Sequence, residues 1–410
     1  MLTTVIEARR YETGEPVRIT IQTGRINRIV PLEINDTAQR VLPWVSPGFL
    51  DIQINGYKGC WFCDSSLTVE KVAQTLKAMF PFGVNQVCPT LTTHSFEFLA
   101  AGVTAIRRAC DAERWIEDMV ACIHLEGPHI SPQDGPRGAH PKKHVRSPDW
   151  EEFCRLQELA GGRIGLVTLA PELPGALDFI RQLVDSGIKV AIGHTAASPE
   201  VISAGVESGA TLSTHLGNGA HGILPRHPNY IWEQLAQDNL WASIICDGHH
   251  LSPSVVQTMV RAKKPERIIL VSDAVALAGL PPGKYESGGV RVELTEDGRT
   301  VLADHPELLA GATCMLDRCV TNACEFAGVG FSQAVQMATR HPRQFLGLKE
   351  RDYLEEGSSV NFIVFSRDVG DQTTQIFSSS NEQKSSLKMQ AVFLEGTLQW
   401  QRSEGMFATS

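Results

Sequence analysis

The chain has 410 residues, 42% hydrophobic and 20% charged, a composition that excludes a mainly disordered or fibrous protein and leaves room for a large core. Its 37 basic and 46 acidic residues give a formal charge of −9, which offers no broad attraction to phosphate backbones or anionic lipid, so neither nucleic acid nor a membrane surface is an expected partner. The ten cysteines stand singly apart from Cys60 and Cys63, and no second such pair completes a four-thiolate zinc site, so reduced buried thiols are expected. The first residues reach charge within a turn or two, without an apolar h-region, and no apolar run of ~18 residues follows. A cytoplasmic location is the expectation.

In chain order, residues 1–46 read as small antiparallel strands, with the alternating run 17–30 as the clearest. The same texture returns at 358–366 and 389–400, so residues 1–46 and 351–410 are expected to pair into one small β-domain, with the polar stretch 368–388 as an exposed connection. Between them, residues 47–350 alternate short apolar runs with helix-period segments. Eight runs stand out: 48–55, 85–91, 120–126, 164–169, 189–194, 211–215, 241–247 and 267–273. Ser198-Pro199 and Ser252-Pro253 each set an N-cap ahead of a proline at the first helical position. Eight strand–helix units predict a closed (β/α)8 TIM-like barrel carrying a β-sandwich-like domain made by both termini, with an open doubly wound sheet as the alternative. No glycine-rich phosphate loop is present.

The runs end in ionisable side chains: Glu126 on the third, His194 on the fifth, His215 on the sixth, Asp247 with His249 and His250 on the seventh, and Asp273 on the eighth. In a barrel, strand C-termini converge on one mouth. A polar cluster gathered there is costly to bury unless a metal or substrate neutralises it. Glu126, His194 and His215 are ligand types that a catalytic zinc uses while keeping one position open. Asp273 suits a proton carrier, and either His249 or His250 could donate to a developing oxyanion.

An ordered set of segments then resembles the amidohydrolase superfamily and, within it, the N-acetylglucosamine-6-phosphate deacetylase family. It comprises Pro47-Gly-Phe-Leu-Asp-Ile-Gln-Ile-Asn-Gly56, Cys88-Pro-Thr-Leu91, His124-Leu-Glu-Gly-Pro128, Arg137-Gly-Ala-His-Pro141, Thr168-Leu-Ala-Pro-Glu172, Gly193-His194, Thr214-His-Leu216, Asp247-Gly248, Ser272-Asp-Ala274 and Leu309-Ala-Gly311. The resemblance implies Glu126, His194 and His215 as metal ligands, Asp273 as catalytic acid/base, and His250, three residues after Asp247, as the group beside the acetyl carbonyl. It implies substrate contacts from Ala139, His140, Asn218, Gly219, Arg226, His250, Leu309, Ala310 and Gly311. A homodimer is also implied, and a partner subunit would help complete the phosphate side.

Two departures qualify it. Gln53-Ile-Asn55 stands where many superfamily members carry His-x-His, which implies one divalent metal per chain, zinc first, with iron, cobalt or manganese also compatible. The loop at 217–229 has gained glycine and proline, which leaves the sugar and its 6-phosphate open. The alternatives are an amidohydrolase for another amino sugar or small amide, and a barrel without catalysis.

Overall fold

A computed structural model describes residues 3–33, 42–287, 290–348, 354–368 and 386–403. The strands, in chain order, are β1 (Thr3–Arg10), β2 (Pro16–Gln22), β3 (Arg25–Pro31), β4 (Trp44–Pro47), β5 (Phe49–Ile54), β6 (Gly56–Tyr57), β7 (Cys60–Trp61), β8 (Val84–Thr92), β9 (Ile123–Glu126), β10 (Ile164–Leu169), β11 (Lys189–Ile192), β12 (Leu212–Ser213), β13 (Trp241–Ile245), β14 (Ile268–Val271), β15 (Gly283–Ser287), β16 (Val290–Leu294), β17 (Thr300–Leu302), β18 (His305–Leu309), β19 (Phe362–Asp368), β20 (Ser386–Leu394) and β21 (Thr397–Gln401).

Strands β5 and β8–β14 form the parallel eight-stranded barrel sheet, in the order β14-β13-β12-β11-β10-β9-β8-β5. The seam between β14 and β5 is closed at its upper end, where the Asp273 N–H donates to the Gln53 carbonyl at 2.9 Å and Ile54 bridges Ala274. Side chains alternate along each strand. On β14, Ile268 and Leu270 pack outward under the helices, while Ile269 and Val271 point into the barrel with Leu166, Ala191, Leu212 and Ile245. Phe345 joins that inner group as a plug at the floor.

The terminal strands meet as expected: a seven-stranded sheet in the order β21-β20-β19-β4-β1-β2-β3 takes strands from both ends of the chain. Its own core includes Ile6, Ile19, Val45, Phe362 and Phe393. Most of the connection expected at 368–388 lies outside the described residues.

Three details differ from the sequence reading. The fifth and sixth strands are shorter than expected, because His194 and His215 adopt φ of 51° and 29°, which turns the backbone out of the ladder. Ser198 and Ser252 do occupy N-cap positions, but neither makes a side-chain cap hydrogen bond. Between β14 and the helix Leu316–Ala327, the chain inserts a four-stranded antiparallel sheet, β15–β18, which the sequence reading missed. Its Val292 and Leu294 pack on Val275 and Leu277 beside Trp61, fixing the sheet over one side of the barrel mouth.

Candidate active site

The end of β9 carries Glu126 inward, because His124 and Glu126 alternate with the outward Ile123 and Leu125. Glu126 Oε1 lies 3.2 Å from His194 Nε2 and 2.9 Å from His215 Nε2, and the two ring nitrogens are 3.0 Å apart. All three residues are buried. An ion bonded at about 2.0–2.1 Å to three tetrahedrally disposed atoms would hold those atoms about 3.3 Å apart, close to the triangle found here. The donors are also of the right kind. His194 Nδ1 lies 2.8 Å from the Pro136 carbonyl, which assigns a proton to Nδ1 and leaves Nε2 as the nitrogen available to an ion. This donor set fits a divalent metal.

Burial alone would raise the Glu126 carboxyl, but the hydrogen bonds and charge of His194 and His215 outweigh it and hold it well below the usual carboxylate range. His140 stands beside the triangle, its ring 4.3 Å from that of His194, and its Nδ1 is 2.8 Å from Thr93 Oγ1. Burial, reinforced by the charge of His194, lowers His140 to about 3 and keeps its ring neutral. Glu126, His140 and His194 present ligand atoms within 4.8 Å of one another.

Asp273 follows β14, at a φ of 49°. Asn55 Nδ2 donates to its Oδ1 at 2.7 Å, and Gln53 Nε2 reaches both Asp273 Oδ1 at 3.2 Å and Glu126 Oε1 at 2.8 Å. The Gln-x-Asn pair therefore has a positive role that the sequence reading missed: the Gln53 amide bridges two buried carboxylates that would otherwise repel, and the Asn55 amide adds a second donor to Asp273. Its signal was available, since residues two apart on one strand share a face. Burial, followed by the charge of Glu126, raises Asp273 to about 6 despite those amides and the nearby histidines. A carboxyl near neutrality can both take and return a proton.

His250 and His249 separate clearly. His250 Nδ1 is 2.7 Å from Asp247 Oδ2, and its side chain is 7% exposed, whereas His249 is an exposed residue. The backbone N–H groups of both histidines donate to Asp247 Oδ1, so this carboxylate fixes the loop and orients the His250 ring. Burial raises the Asp247 carboxyl, but its bonds to His250 and His249 outweigh that and lower it.

These groups open into a cavity of about 500 Å3 whose walls include Ala139, His140, Asn218, Gly219, His250, Leu309, Ala310 and Gly311. Asn218 Nδ2 is buried with no partner among the described residues, a donor free for a ligand. Gly219 has φ 55°, and a Cβ there would lie 2.6 Å from His194 Nδ1, so only glycine lets this loop approach the ring. Arg226 is not brought to this wall: it is exposed on the segment that runs past Ile223, itself 92% exposed. The guanidinium among the wall residues belongs to Arg299 of the inserted sheet, paired with Asp297 at 2.9 Å. Trp61, on β7, and His94, two residues beyond β8, complete walls that the sequence reading did not include.

Fold and site together define a barrel hydrolase built around a buried carboxylate and imidazoles. The amidohydrolase family profile matches residues 44–398. N-acetylglucosamine-6-phosphate deacetylase of Homo sapiens is 33% identical over 384 residues, covering 91% of this chain and 87% of that protein. N-acetylgalactosamine-6-phosphate deacetylase of Escherichia coli O157:H7 is 31% identical over 351 residues, covering 85% and 90%. The crystal structure of N-acetyl-D-glucosamine-6-phosphate deacetylase from Mycobacterium smegmatis superposes with a TM-score of 0.79 at 28% identity, covering 93% of this chain and 95% of that one. The chain belongs to the amidohydrolase family.

Proposed function

We propose that the chain hydrolyses the acetamide of N-acetylglucosamine 6-phosphate, releasing glucosamine 6-phosphate and acetate. The observation that carries this reading is the Asp273 carboxylate, held by Gln53 and Asn55 beside the Glu126–His194–His215 triangle at the foot of one cavity. Its similarity to deacetylases over most of its length supports the same reading. Glu126 Oε1, His194 Nε2 and His215 Nε2 would hold one divalent ion, zinc first, with iron, cobalt or manganese also suited. When bound, the ion polarises the amide carbonyl and lowers the pKa of a water molecule. Asp273 accepts that water's proton as the water attacks the carbonyl carbon. His250, its ring held through Nδ1 by Asp247, lines the cavity as the group beside the oxygen gaining charge. Asp273 returns its proton to the nitrogen, the C–N bond breaks, and the amine leaves with acetate behind it.

A second reading, another N-acetylated amino sugar, is favoured by one observation: Arg226 does not line the cavity, while Arg299 does. We assign the phosphate to Arg299 in its own subunit or to Arg226 of a neighbouring copy in a homodimer, since Arg226 is exposed beside Ile223 and near Trp232, which is 53% exposed. Among the described residues no helix is long and apolar enough to cross a membrane, and the ten cysteines are free thiols, which supports the cytoplasm as the location. Acetate release across 6-phosphorylated and free N-acetylglucosamine and N-acetylgalactosamine tests the substrate. Preference for N-acetylglucosamine 6-phosphate is expected, and equal turnover of the free sugars would overturn the phosphate assignment. Arg299→Ala and Arg226→Ala, each with sedimentation analysis, separate the two phosphate contacts through KM.

A further inference from the structure

Glu172, from the Leu-Ala-Pro-Glu segment after β10, takes no part in the chemistry above and does not line the cavity. Its carboxylate nonetheless grips the two residues after His194. Thr195 Oγ1 donates to Glu172 Oε2 at 2.6 Å, and the Ala196 N–H donates to Oε1 at 2.7 Å. The Ala197 N–H in turn donates to Thr195 Oγ1 at 3.0 Å, which leaves the threonine hydroxyl proton for the carboxylate. Thr195 is buried, and helix Pro199–Glu207 starts directly beyond this turn.

His194 needs such a hold. Its φ of 51° lies in the left-handed region, which a residue with a side chain keeps only where its surroundings over-determine it. On its N-terminal side, the Gly193 N–H donates to the Leu169 carbonyl at 3.1 Å, and on its C-terminal side the His194 carbonyl accepts from the Ser131 N–H at 2.9 Å. On its C-terminal side, the side-chain hold on the turn is the Glu172 carboxylate. Two short charge-assisted hydrogen bonds to one acceptor-only group are a strong and directional tether.

We propose that Glu172 is a positioning residue that presets His194 as a metal ligand by clamping the Thr195–Ala196 turn. This inference rests on the reading of His194 as a ligand. Without the clamp, the turn can relax toward ordinary backbone angles, and the His194 Nε2 leaves the triangle with Glu126 and His215. An outer partner of this kind is worth about 10–100-fold in metal affinity. A glutamine retains one acceptor oxygen and so keeps part of the tether.

The test compares the parent, Glu172→Ala and Glu172→Gln full-length proteins for zinc affinity, by competition with a chromophoric chelator, and for melting of the metal-free protein. Zinc affinity is expected to weaken about 10–100-fold in Glu172→Ala and by less in Glu172→Gln, with KM at saturating zinc unchanged, while the metal-free protein still melts cooperatively at a temperature lowered by the lost hydrogen bonds. Zinc affinity within twofold of the parent in both variants would overturn the proposal and leave Glu172 as a turn residue. If Glu172→Ala does not fold, Glu172→Gln decides by the same criterion. His194→Ala tests the underlying reading separately: if it binds zinc as tightly as the parent, His194 is not a ligand, whatever the Glu172 variants do.

Discussion

The two ends of the barrel interior are built from the same strands and behave as opposite materials. At the floor, Leu166, Ala191, Leu212, Ile245, Ile269 and Phe345 make a dry inner core. At the mouth, Glu126, His194, His215 and Asp273 gather charge at comparable burial. Between them runs a layer of hydrogen bonds, in which His124 Nε2 lies 2.8 Å from Thr168 Oγ1 and that oxygen lies 2.7 Å from Thr214 Oγ1. The strand period explains the stacking, since moving two residues along β10 goes from Leu166 to Thr168 and along β9 from His124 to Glu126. The floor contributes stability that tolerates no gaps. The mouth accepts an energetic cost, including left-handed backbone at His194, His215 and Asp273, to hold groups in place for reaction.

The sharpest way to break this contrast is Asp273→Asn, which keeps the shape of the mouth and removes its proton carrier. Turnover should fall by about 10³-fold or more with bound metal retained, read by steady-state kinetics and metal analysis. Parent-like turnover would remove Asp273 from the mechanism. At the floor, Leu166→Ala should cost about 2–5 kcal/mol in denaturant unfolding while leaving KM unchanged. A large rise in KM would show that the two ends are not independent. Gly219→Ala places a methyl against His194 on left-handed backbone and should lower zinc affinity by about 10-fold, measured by chelator competition, with a loss of about 1–2 kcal/mol in unfolding stability. An effect confined to one pH window concerns Asp51, buried on β5, where desolvation raises its carboxyl to about 7. Because the folded form holds the proton more tightly than the unfolded chain, Asp51 contributes stability that is complete below about pH 4 and is lost as the pH rises through about 7. Asp51→Asn should flatten that part of the stability profile in urea titrations at stepped pH. An unchanged slope would contradict it.

The mouth was more legible in the sequence than its surroundings, for a physical reason. Glu126, His194, His215 and Asp273 each follow an apolar run, and a polar residue ending a buried strand is a local pattern. The terminal sheet was legible too, because the runs in 17–30, 358–366 and 389–400 alternate with period two. The inserted sheet was not. His305–Leu309 is short, exposed and carries charge and proline, and Val290–Leu294 does alternate but is a single five-residue run outside the strand–helix spacing. The chemistry of the two residues left His249 and His250 open; the choice of His250 came from the resemblance, through its place three residues after Asp247, and the local contact between Asp247 and the His250 ring gives that spacing a physical role. The sequence did not show that Arg226 lies off this chain's own cavity wall, because proximity in sequence to His215 does not specify which way a loop turns its side chain.

The seam between β14 and β5 has a consequence for how activity arises along the chain. The three triangle residues lie within 89 positions of one another, whereas Gln53 and Asp273 are 220 positions apart. Contacts of such long range form late, because the entropy of a large loop must be overcome before the contact is gained. In the proposed reading, the ion-holding corner closes over shorter loops than the Gln53–Asp273 seam, and on refolding the recovery of zinc binding is expected no later than the recovery of turnover.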